Sequence, residues 1–315
     1  MAAPTSGHSL FVALMFATGL LSVAVHVVDR GWNRLSSPHS MTLWSSLVQL
    51  LLVLPFVGFV SVLPWKIAVV LVAVGALTAY SRVSWYRALA SREDSLSRLL
   101  PLTHSSGFLV LVLGSLLLGE RLPPLAAVGG SAMILGAILI SLEQPGATLK
   151  EFLAMNLALG FVLLQSLGRA ANNVSYKWVF NQGDFDFFSV YFYLKLFEFL
   201  SIATIMICFH SPRLGPGNIQ NLAAFVAARG LQTASGLLFI LVLNHIDITL
   251  AEPVSASGPL IAITWERLDQ RFGFIARMGG DPAPGRTLSP WGWTLRVAGT
   301  LAIIAGFLLL FQEKG

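Results

Sequence analysis

Long runs of apolar residues, separated by short polar segments, dominate the chain. An α-helix needs about 20 apolar residues to cross a bilayer, and the pattern predicts ten such helices. They cover, roughly, residues 9–28, 41–63, 67–89, 97–118, 124–142, 154–177, 187–209, 219–243, 248–266 and 291–312. Because a helix satisfies its own backbone hydrogen bonds in lipid, the sequence predicts an all-α integral membrane protein.

The polar connections are too short to hold a separate soluble domain. Two of them stand out: Asp29 to Ser40 is polar, and Asp269 to Pro290 is rich in proline and glycine, which argues against a regular helix there. The midpoint near Gln144-Pro145-Gly146 divides the chain into residues 1–146 and 147–315, with five predicted helices in each half. Because five is odd, the second half would enter the membrane from the opposite side, as in an inverted repeat.

Motifs of the first half return in the second half. The matching pairs are Ser97/Thr249, Pro101/Pro253 and Ser105/Ser257 at an offset of 152, and Gly129/Gly299, Gly136/Gly306 and Glu143/Glu313 at an offset of 170. Glu120-Arg121-Leu122 also returns, as Glu266-Arg267-Leu268. Gly129 and Gly136 are seven residues apart, and so are Gly299 and Gly306. The two glycines within each half therefore lie on one helix face, where small residues let membrane helices approach closely. We therefore expect the fifth and tenth helices to act as packing supports.

The segment from Tyr86 to Leu142 resembles the drug/metabolite transporter superfamily, specifically its ten-helix EamA-type branch. The motifs that carry the resemblance are YRALASREDSLSRLLPLTHSS, GERL and the glycine-bearing helix. The second copy, Ile248 to Leu310, is more weakly similar, and the other helices fit by number and spacing. The resemblance implies a secondary transporter in which the first four helices of each half line the pathway. It says little about the substrate, because the family moves many kinds of small molecule.

Composition agrees with a polytopic membrane protein. Of the 315 residues, 55% are hydrophobic and 11% are charged, whereas a soluble domain has about 25% charged residues. The chain has no basic run long enough to follow a nucleic-acid backbone, so nucleic acid is not an expected partner. The one cysteine, Cys208, cannot form an intrachain disulfide, and no spacing typical of a metal site occurs. We expect no cofactor. We also expect a multi-pass protein of a plasma membrane, such as the bacterial inner membrane, with a homodimer as one candidate assembly.

Two arguments about orientation disagree. The resemblance implies that both termini lie in the cytoplasm. That arrangement places a total of four basic residues, lysine or arginine, in cytoplasmic loops and twelve on the other side. This is the reverse of the usual positive-inside distribution. The charge count instead predicts that the loop from Asp269 to Pro290 is cytoplasmic. The orientation stays open at this point.

Ionisable and polar residues inside the predicted helices are the candidates for function. A charge at the centre of a membrane helix costs about 3 kcal/mol on insertion scales, and one shared wet cavity lowers that cost for several charges together. The predicted substrate-pathway residues are Arg98, Arg169, Asn173, Glu198, Arg229 and Glu252, with His26, His104 and Lys195 as further members. The repeat also aligns His26 with Asn173 and Gln49 with Glu198, as if they faced one pathway from opposite halves.

Glu252 is the predicted titrating group. It precedes Pro253 in an otherwise apolar segment of small residues, and proline frees a backbone carbonyl and lets the helix bend. A carboxylate beside such a bend can take a proton or meet a cationic group. The alternative is that Glu252 pairs with an arginine, such as Arg98 or Arg229, and only stabilises the bundle.

Other residues in this group also have structural alternatives. Lys195 and Glu198 are three residues apart and could form a local salt bridge. Arg169 lies in a polar patch with Asn172 and Asn173, for which a cavity-lining position is favoured over interhelical hydrogen bonding alone. Among the further candidates, a packing role is predicted for His104, interfacial snorkelling for Arg82 and Arg87, and a core or lipid-facing position for Tyr191-Phe192-Tyr193.

These residues favour transport over catalysis. The four cationic and two acidic members of the predicted pathway leave two positive formal charges, which suit an anionic or zwitterionic solute such as an amino acid. No phosphate-binding loop with GK[ST] occurs, so ATP-driven pumping is not expected. No catalytic cluster or metal motif appears, so an enzyme is not predicted. The sequence thus predicts a secondary transporter that works as an exporter, with proton coupling through Glu252. The alternatives are a flippase for a lipid-linked substrate and a non-transporting partner or sensor.

Overall fold

The computed structural model describes the chain in several separate stretches. The described residues are 14, 17–26, 28–29, 37–90, 103, 106–120, 124–141, 157–183, 185–209, 222–245, 271 and 290–312. Of these residues, 93% are helical and none lies in a β-strand. The all-α architecture expected from the apolar pattern is confirmed for this part of the chain.

Four helices are long and apolar enough to cross a membrane. They cover Pro38–Phe59, Trp65–Leu89, Phe187–Cys208 and Leu222–His245, each with 22 to 25 residues. Shorter apolar helices lie at Ala17–His26, Leu109–Leu118, Ala127–Gly136 and Val297–Gly306. Because a span requires about 20 apolar residues, the four long helices identify the chain as an all-α membrane protein.

The described helices follow the predicted order. We name them α1 (Ala17–His26), α2 (Pro38–Val53), α3 (Trp65–Ala90), α4 (Ser106–Leu118), α5 (Pro124–Ser141), α6 (Leu157–Asn181), α7 (Phe187–Phe209), α8 (Leu222–His245) and α9 (Pro290–Gln312). The predicted bounds of α7 match, and those of α9 differ by one residue at its start. The predicted helix at 248–266 and the start of the one at 97–118 lie outside the described residues.

The second predicted helix is wrong in its C-terminal part. The α-helix begins at Pro38, where the Ser37 hydroxyl accepts a hydrogen bond from the Ser40 backbone N–H at 3.2 Å, and it ends at Val53. A 3-10 helix, Leu54–Phe59, follows, and residues 60–64 are not helical. Pro55 explains the change, because it has no backbone N–H to donate and its ring crowds the preceding turn.

The non-helical residues after this 3-10 helix are attached to the start of α7. The Ser61 backbone N–H donates to the Ser189 hydroxyl at 2.8 Å, and the Ser61 hydroxyl donates to Asp186 Oδ2 at 3.2 Å. Asp186 Oδ1 also accepts the backbone N–H of Ser189 at 2.7 Å. A carboxylate that precedes a helix and accepts its first N–H groups is a strong N-cap, so Asp186 begins α7 and holds Ser61 beside it.

Helix α3 lies at the centre of the bundle, where it packs against α6 and α7. Glycines permit the close approach on both sides. A Cβ on Gly75 would lie 2.8 Å from the Cβ of Phe197 on α7, and a Cβ on Gly168 of α6 would clash with Ser81. The Ser81 hydroxyl donates to the backbone carbonyl of Gln165 at 3.0 Å across the second contact. The polar face of α6 is therefore held directly against α3.

Helices α5 and α9 form the most extensive helix–helix contact among the described residues. A Cβ on Gly136 would lie 2.5 Å from the carbonyl oxygen of Gly299 and 2.8 Å from Ile303. The backbones meet where each helix carries a glycine, as is common for close crossings in membranes. The predicted packing role of Gly136 and Gly299 is confirmed.

We expect Gly136→Ala to destabilise the protein. The added methyl group overlaps the α9 backbone, and overpacking of this kind costs about 1–3 kcal/mol. Gly160→Ala on α6 is the matched control, because nothing lies within 4 Å of its Cβ position. Thermal unfolding of the purified protein should show a lower midpoint for Gly136→Ala only. Equal midpoints for the two variants would contradict the close contact.

Asp186 should make stability depend on acid pH. Partial burial alone would raise the pKa of this carboxyl, but hydrogen bonds from the Ser189 hydroxyl and N–H and the Ser61 hydroxyl outweigh it and hold the pKa below its ordinary value of 3.8. A carboxyl with a lowered folded-state pKa stabilises the protein above its unfolded pKa, and this contribution is lost as the pH falls through the folded pKa. Asp186→Ala should therefore lower the unfolding midpoint at pH 6, and the difference from the wild type should shrink below pH 4. A pH-independent difference would exclude this role.

Candidate functional site

A cavity of about 250 Å³ lies among α1, α2, α3, α6, α7 and α8. Its wall is unusually polar for the interior of a membrane bundle. The ionisable side chains that line it are His26, Asp29, Arg82, Arg169, Lys195 and three tyrosines, Tyr86, Tyr176 and Tyr191. Because charges in a membrane interior are stable only when paired or hydrated, this cavity is the candidate functional site.

The first group of charges in the wall is centred on Glu198 of α7. Its Oε1 lies 2.9 Å from Arg82 Nη1 and its Oε2 lies 3.0 Å from Lys195 Nζ. Arg82 Nη1 also donates to Gln49 Oε1 at 2.9 Å, which adds α2 to the group. Glu198 is fully buried, so its two cationic partners compensate a charge that water does not reach. The predicted Lys195–Glu198 salt bridge is confirmed.

Arg82 does not snorkel to the membrane interface, as the sequence predicted. Its side chain is 13% exposed, lines the cavity, and bonds to Gln49 and Glu198. The carboxylate that attracts it lies on another helix, 116 positions away in the sequence, which no local pattern indicates. Arg87, one turn later, is exposed and its guanidinium lies 5.5 Å from the ring centre of Phe161.

The second group of charges is centred on Arg229 of α8, which is fully buried. Its guanidinium forms a salt bridge with Asp29. It also donates hydrogen bonds to the Ser45 hydroxyl at 2.6 Å, the Tyr86 hydroxyl at 3.1 Å and Gln232 Oε1 at 2.6 Å. One side chain thus joins α2, α3 and α8 to the residues that follow α1.

Asp29 corrects the sequence analysis, which placed it at the start of a polar loop. It is helical and only 1% exposed, and it provides the negative charge for Arg229. A signal was present in the sequence: Thr18, Ser22, His26 and Asp29 recur every three or four residues, which predicts one polar helix face. Thr18, Ser22, His26 and Asp29 all line the cavity.

His26 lies between these residues and α3. The indole N–H of Trp85 donates to His26 Nδ1 at 3.2 Å, and the two rings meet edge to face with centroids 4.9 Å apart. Since Nδ1 accepts this bond, the proton of the neutral imidazole lies on Nε2. Nε2 lies 3.4 Å from the Ser22 hydroxyl. His26 can therefore present an N–H donor on the cavity side of α1.

Helix α6 contributes a polar stripe to the wall. Gln165, Arg169, Asn172, Asn173 and Tyr176 all line the cavity and recur at helical spacing. This polar face explains why α6 is absent from the four helices that are apolar enough to span a membrane by composition. The sequence-based interpretation of Arg169 and Asn172-Asn173 as a cavity-lining patch agrees with these positions.

The structure brings together six of the nine predicted pathway residues. His26, Arg169, Asn173 and Lys195 line the cavity, while Glu198 and Arg229 bond to side chains that do. The other three, Arg98, His104 and Glu252, lie outside the described residues. Asp29, Arg82 and Gln165 are wall residues that the sequence analysis did not include in the pathway.

The described residues give the site a positive excess. Four cations, Arg82, Arg169, Lys195 and Arg229, lie in the wall or bond to it, together with two carboxylates, Asp29 and Glu198. Four positive and two negative formal charges leave two positive charges. Tyr191 adds its ring face, 5.3 Å from Lys195 Nζ, which stabilises the ammonium further. Among the described residues no group of three His, Cys, Asp or Glu side chains could hold a metal ion.

Comparisons with known proteins show the fold only. The sequence matches no protein-family model and no curated protein. The structure is similar to a solved one described only as "Crystal structure of protein", with a TM-score of 0.66 and 16% sequence identity. The similarity covers 98% of this chain and 99% of that chain. At this identity it indicates a shared fold over nearly the whole length, without information on function.

Breaking the Asp29–Arg229 pair should be strongly destabilising. Asp29→Asn leaves a buried guanidinium without its counter-charge, and loss of one partner of a buried pair costs about 3–5 kcal/mol. Arg229→Gln should cost a similar amount, and the double variant should cost much less than the sum. Thermal unfolding of the four proteins forms a double-mutant cycle. In the control cycle, Asp29→Asn with Lys66→Gln at an exposed position, the effects should add. Additive effects in the first cycle would exclude a direct coupling.

Proposed function

We propose that the protein is a secondary transporter that moves a small organic anion or zwitterion through the central cavity without ATP. The proposal assigns it to the drug/metabolite transporter superfamily, as a ten-helix EamA-type member. Residues 1–146 and 147–315 are the two inverted five-helix halves. Export is the proposed direction, and the bacterial inner membrane is the proposed location.

The observation that carries the proposal is the charged cavity. Its wall takes helices from both proposed halves, α1 to α3 from the first and α6 to α8 from the second. A binding site between two halves is the arrangement that alternating access requires, because each half can then expose the site to one side. The excess of two positive charges favours a solute with a carboxylate or phosphate group.

The wall also supports the proposed repeat. His26 and Asn173 are 147 positions apart and both line the cavity, and the same offset separates Arg82 from Arg229, the two arginines that organise the ion pairs. The backbone carbonyls of Thr18 and Gln165, again 147 positions apart, each accept a serine hydroxyl from the other half, from Ser235 at 3.1 Å and Ser81 at 3.0 Å. Repeated use of equivalent positions is typical of a duplicated chain.

Proton coupling is part of the proposal and is assigned to Glu252. The described carboxylates of the wall, Asp29 and Glu198, are already engaged in ion pairs with arginine or lysine. A carboxylate beside the bend at Pro253 would be the better group to take up and release a proton. Glu252 lies outside the described residues, and this role stays a prediction.

Arg169→Gln should strongly reduce transport while the protein still folds. Arg169 lines the cavity and provides a cation that an anionic solute would meet. Metabolite levels inside and outside cells that express the protein, compared with cells that lack it, identify candidate solutes. Flux of those solutes is then measured in proteoliposomes. We expect at least a tenfold loss of flux, equivalent to about 1.4 kcal/mol.

Lys66→Gln is the control for this experiment, since Lys66 is exposed at the start of α3, and it should transport normally. Flux that persists in Arg169→Gln would exclude an anion pathway along α6. Movement of a labelled lipid instead of a soluble solute would favour a flippase. No solute movement at all, with intact protein in the membrane, would favour a partner or sensor role.

A further inference from the structure

Two side-chain oxygens on α6 are buried at the cavity without a hydrogen-bond donor. Gln165 Oε1 and Asn172 Oδ1 are both inaccessible to bulk solvent and accept no hydrogen bond from the residues that the structure describes, and both residues line the cavity. Buried amide oxygens are nearly always satisfied in folded proteins, so each such exception needs an explanation. Their position in the wall makes both oxygens available as acceptors to a molecule bound in the cavity.

Arg169 lies between these two residues on the same helix face. With a rise of 1.5 Å per residue, it is displaced along the axis by about 6 Å from Gln165 and about 4.5 Å from Asn172. These displacements match the dimensions of a molecule with a few carbon atoms. An anionic group at Arg169 would therefore leave its neighbouring substituents within reach of either amide oxygen.

We propose that the cavity selects a small anion that also carries hydroxyl groups, with the anionic group at Arg169 and the hydroxyls donating to Gln165 and Asn172. This inference rests on the proposed transport function and narrows its substrate class. Gln165 and Asn172 are then specificity-determining residues. An anion of the same size without donors leaves both oxygens unpaired, and it binds less tightly for that reason.

The charges of the wall favour hydroxyl donors over an ammonium group. Arg82, Arg169, Lys195 and Arg229 outnumber Asp29 and Glu198 by two. A hydroxylated anion reduces this excess, whereas a zwitterion leaves it unchanged and brings a further cation to within about 6 Å of Arg169. Like charges at this distance repel one another in a site of low dielectric constant. A neutral donor satisfies the amide oxygens without that repulsion.

The test uses three four-carbon acids that differ only at C2: succinate has no donor there, malate has a hydroxyl and aspartate has an ammonium. Binding to the purified full-length chain in lipid nanodiscs is measured by calorimetry or by the rise in unfolding temperature. We expect malate to bind about tenfold more tightly than succinate, as one hydrogen bond to an otherwise unpaired buried group allows. Aspartate should bind more weakly than malate.

The single malate hydroxyl can donate to only one of the two oxygens, so either Gln165→Leu or Asn172→Leu should bring malate affinity close to that of succinate, and the double variant should do so as well. All three variants should leave succinate affinity unchanged. None of the three should lower the unfolding temperature without ligand, because removal of an unpaired buried polar group is neutral or stabilising. Arg169→Gln should weaken both dicarboxylates together. Asn181→Leu and Gln182→Leu make the same substitutions at exposed positions beyond the cavity, and they should keep the wild-type preference.

Each other outcome overturns the inference in a distinguishable way. Equal malate and succinate affinities in the wild type, still dependent on Arg169, exclude hydroxyl selection and leave an anion transporter in place. Tighter binding of aspartate replaces the hydroxylated anion by a zwitterion. If none of the acids binds while Arg169-dependent flux is present, the substrate class is wrong and transport stands. If Arg169 affects neither binding nor flux, the proposed function fails as well.

Discussion

The structure depends on the compensation of charges that are buried within the helical bundle. Arg229 is fully buried, and its guanidinium would be very costly in a membrane interior without Asp29. The pairing fixes more than two residues, since oxygens of Ser45, Tyr86 and Gln232 accept hydrogen bonds from the same guanidinium. Four parts of the chain therefore have to assemble together for this one charge to be stable.

The two ion-pair groups are coupled by the helices they share. Ser45 and Gln49 lie one turn apart on α2, and Arg82 and Tyr86 lie one turn apart on α3. On each helix one residue (Gln49 or Arg82) belongs to the Glu198 group, and the other (Ser45 or Tyr86) bonds to Arg229. A shift of α3 along its axis would strain both groups at once. Movement of the bundle is therefore more easily achieved by rigid displacement of helices together than by sliding of one helix, because buried networks tolerate few intermediate arrangements.

The sequence predicts the helical segments well where apolar composition alone decides them. Helix α7 is a long, mostly apolar segment with Lys195 and Glu198 as its charged residues; it begins just after Asp186, and its predicted bounds are those observed. The hydropathy pattern predicts the wrong end for the second helix, because the apolar ring of Pro55 does not interrupt an apolar run. The missing N–H of Pro55 does interrupt backbone hydrogen bonding, and hydropathy carries no information on it.

The candidate site was predictable only in part, because its partners are distant in the sequence. Lys195 and Glu198 are three residues apart, and helical geometry alone pairs them. Asp29 and Arg229 are 200 positions apart, so hydropathy assigned the aspartate to a loop although it is buried. Only the three-dimensional structure identifies the open acceptors of Gln165 and Asn172, since no sequence pattern distinguishes an amide oxygen that accepts a hydrogen bond from one that does not.

The contact between Ser61 and Asp186 has a mechanical consequence. It attaches the connection between α2 and α3 to the beginning of α7, and these segments belong to different proposed halves of the chain. Near the far end of α3, the bonds from Arg229 to Asp29 and Tyr86 join the same two halves again. The proposed halves are therefore clasped at both ends of α3, and any motion that separates them has to break a carboxylate contact at one end or the other.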